Sequence, residues 1–270
     1  MRTFILSLTA ALLCAGSAQA APPVAGKFFE YSPDKNAKPI SYTVDGVSIR
    51  VVKQVDKVEP DMFTPIYTIS AKGMKPLTVK GEPTMTHFGH SIAIGRLNRG
   101  DKIASVILQN YSGGAHCCTS VTAVVPVGGA FQSVSMGGWD GEGLDAFPKD
   151  VSGDGVADFQ FLDNSFLYSF ASYADSWAPP IIMNILGGKA VDVSTKPAFR
   201  KIFEAEVADA RQQCVAPKQA GSFRNGACAA YGASAARLGR YPAARAEIVR
   251  HHQANTDWDY PTGCAVAETA

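Results

Sequence analysis

IASVILQNYSGGAHCCTSVTAVVPVGGAFQSVSM, residues 103–136, decides the fold class. Three apolar runs rich in Val, Ile and Thr, Ile103–Gln109, His116–Val127 and Phe131–Met136, are separated by Gly113-Gly114 and Gly128-Gly129. β-Branched side chains pack well on a pleated surface, and paired glycines supply turn conformations that other residues resist. The stretch therefore predicts three antiparallel strands. The same pattern extends in both directions. Upstream, Ser41–Asp45 and Val47–Val55 meet at Asp45-Gly46, a hairpin turn pair, and Pro65–Ala71 and Leu77–Lys80 follow. Downstream, Asp158–Leu162, Phe166–Ser172, Ile181–Leu186 and Ala190–Ser194 form another set. Short strands at roughly 8–12-residue spacing predict a mainly β region over residues 41–198, antiparallel, with propeller-blade-like or sandwich-like sheets.

From residue 199 to 270 the pattern turns helical. Pro197 opens a helix with Phe199, Phe203, Val207 and Ala210 on one stripe. Asn225 is placed to cap a second, whose stripe is Cys228, Tyr231, Ala235 and Leu238, and Gly239 ends it. Pro242 opens a third with Ala244, Ile248 and His251 or His252 on one face. The short turn between the last two predicts an αα-hairpin, similar to one tetratricopeptide unit, that caps the sheet.

The first twenty residues are an address. Arg2, the apolar stretch Phe4–Leu13 and Ala18-Gln19-Ala20 have the charge, length and small-residue cleavage pattern of a bacterial secretory signal, cut after Ala20. Residues 21–40, rich in Pro, Lys and Ala, are expected to be a loose leader. No later run reaches the ~18 consecutive apolar residues of a membrane span. The expected location is periplasmic or secreted. The chain carries 25 Lys+Arg against 24 Asp+Glu, and removal of Arg2 leaves 24 against 24. Such a balance lacks the positive field of a nucleic-acid binder.

The strongest chemical signal is Asp150-Val151-Ser152-Gly153-Asp154-Gly155-Val156-Ala157-Asp158. Oxygen-bearing side chains stand at loop positions one, three, five and nine, a glycine at six, and the Val156 carbonyl at seven. Calcium takes several hard oxygen ligands around such a tight loop, so Asp150, Ser152, Asp154, Val156 and Asp158 are the candidate ligands for a structural Ca²⁺. Phe161 stands where an EF-hand needs Glu, and a strand follows instead of a helix, which excludes that motif. Acidic residues concentrate here: Asp140, Glu142, Asp145, Asp150, Asp154 and Asp158 face only Lys149.

This loop resembles the calcium loop of FG-GAP or integrin-α-type repeats, which precedes a blade strand. A second segment, Phe88-Gly89-His90-Ser91-Ile92-Ala93-Ile94-Gly95 with Leu97–Asp101, is similar to the opening of that repeat. Arg96 and Ala104 stand at its ligand positions, so no ion is expected there, with Arg96 as a fixed positive charge instead. The resemblance covers about residues 86–195 and implies a propeller-like fold, although two units are short of a closed propeller. With Gly113-Gly114-Ala115-His116-Cys117-Cys118, the chain also resembles a group of exported bacterial proteins of unknown function. The resemblance implies no activity.

Export favours disulfides, and cleavage leaves five cysteines. Adjacent Cys117 and Cys118 are candidates for a vicinal disulfide, for separate bonds or free thiols, or for a soft-metal or redox site. The helix ends favour Cys228–Cys264, with Cys214–Cys264 as the runner-up. No nucleophile elbow, P-loop or dinucleotide fingerprint occurs, so no catalytic residue is assigned. Two functions follow. The first is an exported, non-enzymatic binding or structural protein with a calcium-stabilised β-region and a protein or glycan partner. The alternative is a periplasmic enzyme, either a carboxylate-dependent hydrolase using two of Asp140, Glu142 and Asp145, or a thiol/disulfide redox protein using Cys117-Cys118.

Overall fold

The computed structural model describes residues 21–31, 38–59, 61–85, 90–113, 118–141, 143–217 and 224–253. In chain order the first strands are β1 (Ala25–Tyr31), β2 (Ile40–Val44), β3 (Val47–Val55), β4 (Met62–Ala71), β5 (Leu77–Lys80) and β6 (Thr84–Met85). Then come β7 (His90–Arg96), β8 (Ser105–Tyr111), β9 (Thr119–Val127), β10 (Ala130–Trp139), β11 (Phe159–Leu162), β12 (Pro180–Leu186) and β13 (Lys189–Asp192). Three helices close the described chain: α1 (Arg200–Val215), α2 (Asn225–Arg237) and α3 (Tyr241–His251).

The strands form three antiparallel sheets. The central one has the order β1-β7-β8-β9-β10; a second has β2-β3-β4-β5 with β6 also on β4; the third is β11-β12-β13. Alternation along each strand sends neighbouring side chains to opposite faces. In the central sheet both faces are buried. Ile92, Ile94, Val106, Leu108 and Val124 meet Ile49, Tyr67 and Ile69 of the second sheet. Ala93, Ile107, Val121, Ala123 and Val134 meet Phe159, Phe161 and Ile185 of the third. This is why β7 and β8 read as continuous apolar runs instead of an alternation. The Asp45-Gly46 turn forms as expected, with φ of 48° and 77°.

Two expectations change. Residues 21–40 are not a loose leader throughout: Ala25–Tyr31 pairs residue for residue with His90–Arg96, making β1 an edge strand. Phe28, Phe29 and Tyr31 supply the aromatic surface that Pro, Lys and Ala nearby disguise. Gly26 faces Gly95 across this pair, and Phe147 lies on both, in the space where either Cβ would sit. Phe166–Ser172 is not a strand. Asp163 accepts from the Ser165 N–H and starts a 3₁₀ turn over Asn164–Phe166, and Tyr168 has φ of 59°. Local side-chain bonds there win over extended pairing.

A 3₁₀ turn at Pro197–Phe199 runs into α1, and the expected stripe is inward: Phe199, Phe203 and Ala210 are buried. Phe199 and Phe203 pack on Ile182 and Val193 of the third sheet and its C-terminal edge, so the helices do cap a sheet. Glu247 of α3 stitches the bundle, taking Arg211 of α1 and the Tyr231 hydroxyl of α2. Gly239 ends α2 with φ of 71°. Asn225 does not cap α2. Its side chain bonds the Gln253 backbone twice, tying the start of α2 to the end of α3.

The disulfide also differs from expectation. Cys228 pairs with Cys214, not Cys264, at a Cα separation of 4.7 Å. Antiparallel packing of α1 and α2 brings the last turn of one beside the first turn of the other. Cys264 lies outside the described residues.

Candidate functional site

Residues 150–158 form a loop between two short pairings. Lys149 bridges Asp158 at its neck, and Val156 bridges Asn98 beyond the end of β7. The Arg99 N–H donates to the Gly155 carbonyl at 2.6 Å, and the Ala157 N–H to the Leu97 carbonyl at 2.7 Å. The two segments aligned in the sequence as repeat loops are thus bonded to each other. Gly155 holds φ of 89°, and a Cβ there would press on the Arg99 side chain. Position six needs glycine for both reasons.

Each carboxylate of the loop has an internal partner. Asp150 accepts from the Gly155 N–H at 2.9 Å and faces the Arg99 guanidinium at 3.6 Å. Asp154 accepts from the Val156 N–H at 2.9 Å and from Lys196 at 3.1 Å. Burial pushes the Asp154 carboxyl up, but Lys196, the Val156 N–H and Ser152 together bring it below its ordinary value. Asp158 is buried; one oxygen accepts from the Val151 and Ser152 N–H groups, each at 2.8 Å, and the other from the Asn184 amide at 2.7 Å. The Ser152 hydroxyl lies 3.4 Å from Asp150. Among the described residues no three His, Cys, Asp or Glu side chains gather closely enough to hold a metal ion by themselves. The donor types suit a hard divalent cation, and an ionised carboxylate has about four acceptor sites, so Asp158 keeps one. Arg96, the expected fixed charge, pairs with Asp45 at 2.6 Å instead, and the guanidinium at the loop is Arg99. Sequence spacing misses Arg99, Asn184 and Lys196 because only folding brings them to the loop.

A second feature is a cleft of about 650 Å³ where β1, β7, β8 and β9 end. Phe28, Glu30, Ser91, Gln109 and Thr119 share one face of the sheet and line it with Tyr111, Leu144 and Asp145. Gln109 straps the wall in place: its amide donates to Ser91 at 2.5 Å and to the Leu144 carbonyl at 2.7 Å, and accepts from the Leu144 N–H at 2.5 Å. Thr119 donates to the Gly141 carbonyl at 2.8 Å. The acidic segment is therefore divided. Asp145 borders the cleft, Asp140 stands near Tyr173, and Glu142 lies outside the described residues. His90 and Tyr31 also border the cleft, but their rings contact each other, and His90 meets Phe63 of the second sheet.

Cys118 begins the approach to β9 and is disulfide-bonded; His116 and Cys117 lie outside the described residues. The Cys118 N–H donates to the Ser112 hydroxyl at 2.8 Å. Two tryptophans pack on neighbouring side chains: Trp139 stacks on Phe161 at 4.2 Å, and the Trp177 indole donates to Glu206 at 2.6 Å.

A family model described as the sll0997 C-terminal domain matches residues 203–270. The helical end of the chain is similar to that domain. Over 199 residues the chain is 29% identical to the probable thylakoid lumen protein sll0997 of Synechocystis, covering 73% of this chain and 58% of that protein. Over 176 residues it is 28% identical to the uncharacterized protein y4bJ of Sinorhizobium fredii, covering 64% of this chain and 27% of that one. The chain thus spans little more than half of one relative and about a quarter of the other. No solved structure matches. Among the described residues no helix is long and apolar enough to cross a membrane.

Proposed function

We propose that this is an exported, non-enzymatic binding or structural protein whose β-region is braced by calcium at residues 150–158. The periplasm or the exterior is its proposed location; similarity to a protein named for the thylakoid lumen supports export. The observation that carries the reading is the position of the loop. It is bonded to the Leu97–Arg99 segment on one side and through Asn184 to β12 on the other, so tightening it tightens the join between central and third sheets. Asp150, Ser152, Asp154, the Val156 carbonyl and Asp158 supply the oxygens, as in the FG-GAP-type loop the sequence resembles. Bound calcium supplies charge neutralisation and a rigid centre, not chemistry. The test is thermal unfolding of the mature chain in EDTA and in excess calcium. A higher Tm with calcium supports the reading, and superimposable curves refute it.

The cleft is where we place the protein or glycan partner. Aromatic walls beside amide and hydroxyl groups suit a sugar ring, and its volume lies within the ordinary range of ligand sites. Titration with soluble oligosaccharides should move the Tyr111 resonances in the wild type and not in a Gln109→Ala variant. Unmoved resonances across such a panel leave the glycan reading without support and favour a protein partner.

A further inference from the structure

We propose that Lys196 is a tethered counter-ion of the 150–158 loop, holding Asp154 in the absence of calcium and yielding it when calcium binds. The inference rests on the calcium reading above. Lys196 Nζ lies 3.1 Å from Asp154 Oδ2 and 3.2 Å from Asn184 Oδ1. Asn184 in turn donates to Asp158. One ammonium group therefore touches position five directly and position nine through a single amide. A cation at that point neutralises the loop and competes for the same oxygen that a metal needs.

The exposure of the pair suits a displaceable partner. The side chains are 37% and 39% exposed, and ion pairs at such a surface are weak. Arg99 is the other internal cation, but at 3.6 Å it lies farther from its carboxylate than Lys196 does at 3.1 Å, so Lys196 is the cation in direct competition for a loop oxygen. Its place in the chain gives the exchange a consequence. Lys196 accepts the Phe199 N–H and directly precedes the Pro197–Phe199 turn that opens α1. Its side chain is a strut from the loop to the start of the helical region, and calcium binding cuts that strut.

Removing a unit charge a few ångströms from a divalent ion in a water-exposed setting should tighten calcium binding by on the order of tenfold. The experiment compares the mature wild-type chain with Lys196→Met and Lys196→Arg by calorimetric titration of calcium after EDTA treatment. Hydrogen exchange of residues 196–203 is followed in parallel. The Met variant is expected to bind about tenfold tighter and the Arg variant like the wild type. Calcium should speed exchange near 197–203 in the wild type, whereas the Met variant exchanges fast with or without it. Equal affinity in the Met and wild-type chains overturns the inference and leaves the calcium reading standing. Binding by the Met variant alone supports the inference and removes calcium from the native chain's function. Absence of binding in all three chains overturns both. Should Lys196→Met not fold, Lys196→Gln gives the same readout.

Discussion

His90 places an imidazole where neither nitrogen has a hydrogen-bond partner among the described residues, at 4% exposure between the rings of Tyr31 and Phe63. Burial disfavours the charged form and pushes its pKa down to about 4. The unfolded chain, with an ordinary histidine near 6.5, binds that proton first. Stability from this residue is thus fully present above about pH 6.5 and falls as the pH drops to about 4, by up to about 3 kcal/mol in all. In His90→Leu the drop in urea-unfolding free energy between pH 7 and pH 4.5 should shrink by most of that amount; an unchanged drop refutes the argument. In the sequence the residue was visible as one position of the Phe88–Gly95 segment, with nothing to mark it as buried. Its burial depends on Phe63, 27 positions away in the chain, which no local pattern reveals. The loop shows the converse. Asp150, Ser152, Asp154 and Gly155 were legible because spacing alone sets a tight oxygen-rich turn, while their partners Arg99, Asn184 and Lys196 were not.

Among the elements, β3 and β5 fall where the sequence put them, since β-branched runs bounded by turn residues leave little choice. β1 was missed because the Pro, Lys and Ala around it disguise its aromatic residues; it exists because β7 offers an edge. That pairing depends on Gly95. A Cβ there would strike the Gly26 and Ala25 backbone as well as Phe147. Backbone cannot step aside as a flexible side chain can. Gly95→Ala should therefore cost at least the roughly 1–3 kcal/mol typical of overpacking, measured by denaturant unfolding, and should speed exchange of the β1 amides first. A variant as stable as the wild type would show that β1 is dispensable. The disulfide was misassigned for a related reason. Helix stripes were readable, but the nearness of Cys214 to Cys228 depends on how α1 lies against α2.

At the scale of the molecule, one sheet serves two cores. The central sheet packs against the second sheet on one face and the third on the other, and the third carries the helices. A stabiliser acting at one join should therefore raise the melting of the whole. If the proposed loop binds calcium with the dissociation constant of an extracellular-type site, on the order of 10⁻⁴–10⁻³ M, ~10 mM calcium should stabilise the folded form by about 1.4–2.7 kcal/mol. For a chain of this size that is a Tm increase of roughly 3–10 °C. The mainly β class with a helical end was legible from periodicity, which switches near residue 199. The stacking order was not, because alternation tells which residues share a face but not which sheet that face meets.

The bond between Cys214 and Cys228 spans the connection between α1 and α2, and Arg224 lies inside that span. Scission of the backbone after Arg224 would consequently divide the polypeptide without dividing the molecule. The sheets with α1 would stay covalently joined to α2 and α3 until a reductant arrived. In an oxidising compartment this makes the helical end tolerant of a nick at that connection; in a reducing one the same nick would set it free.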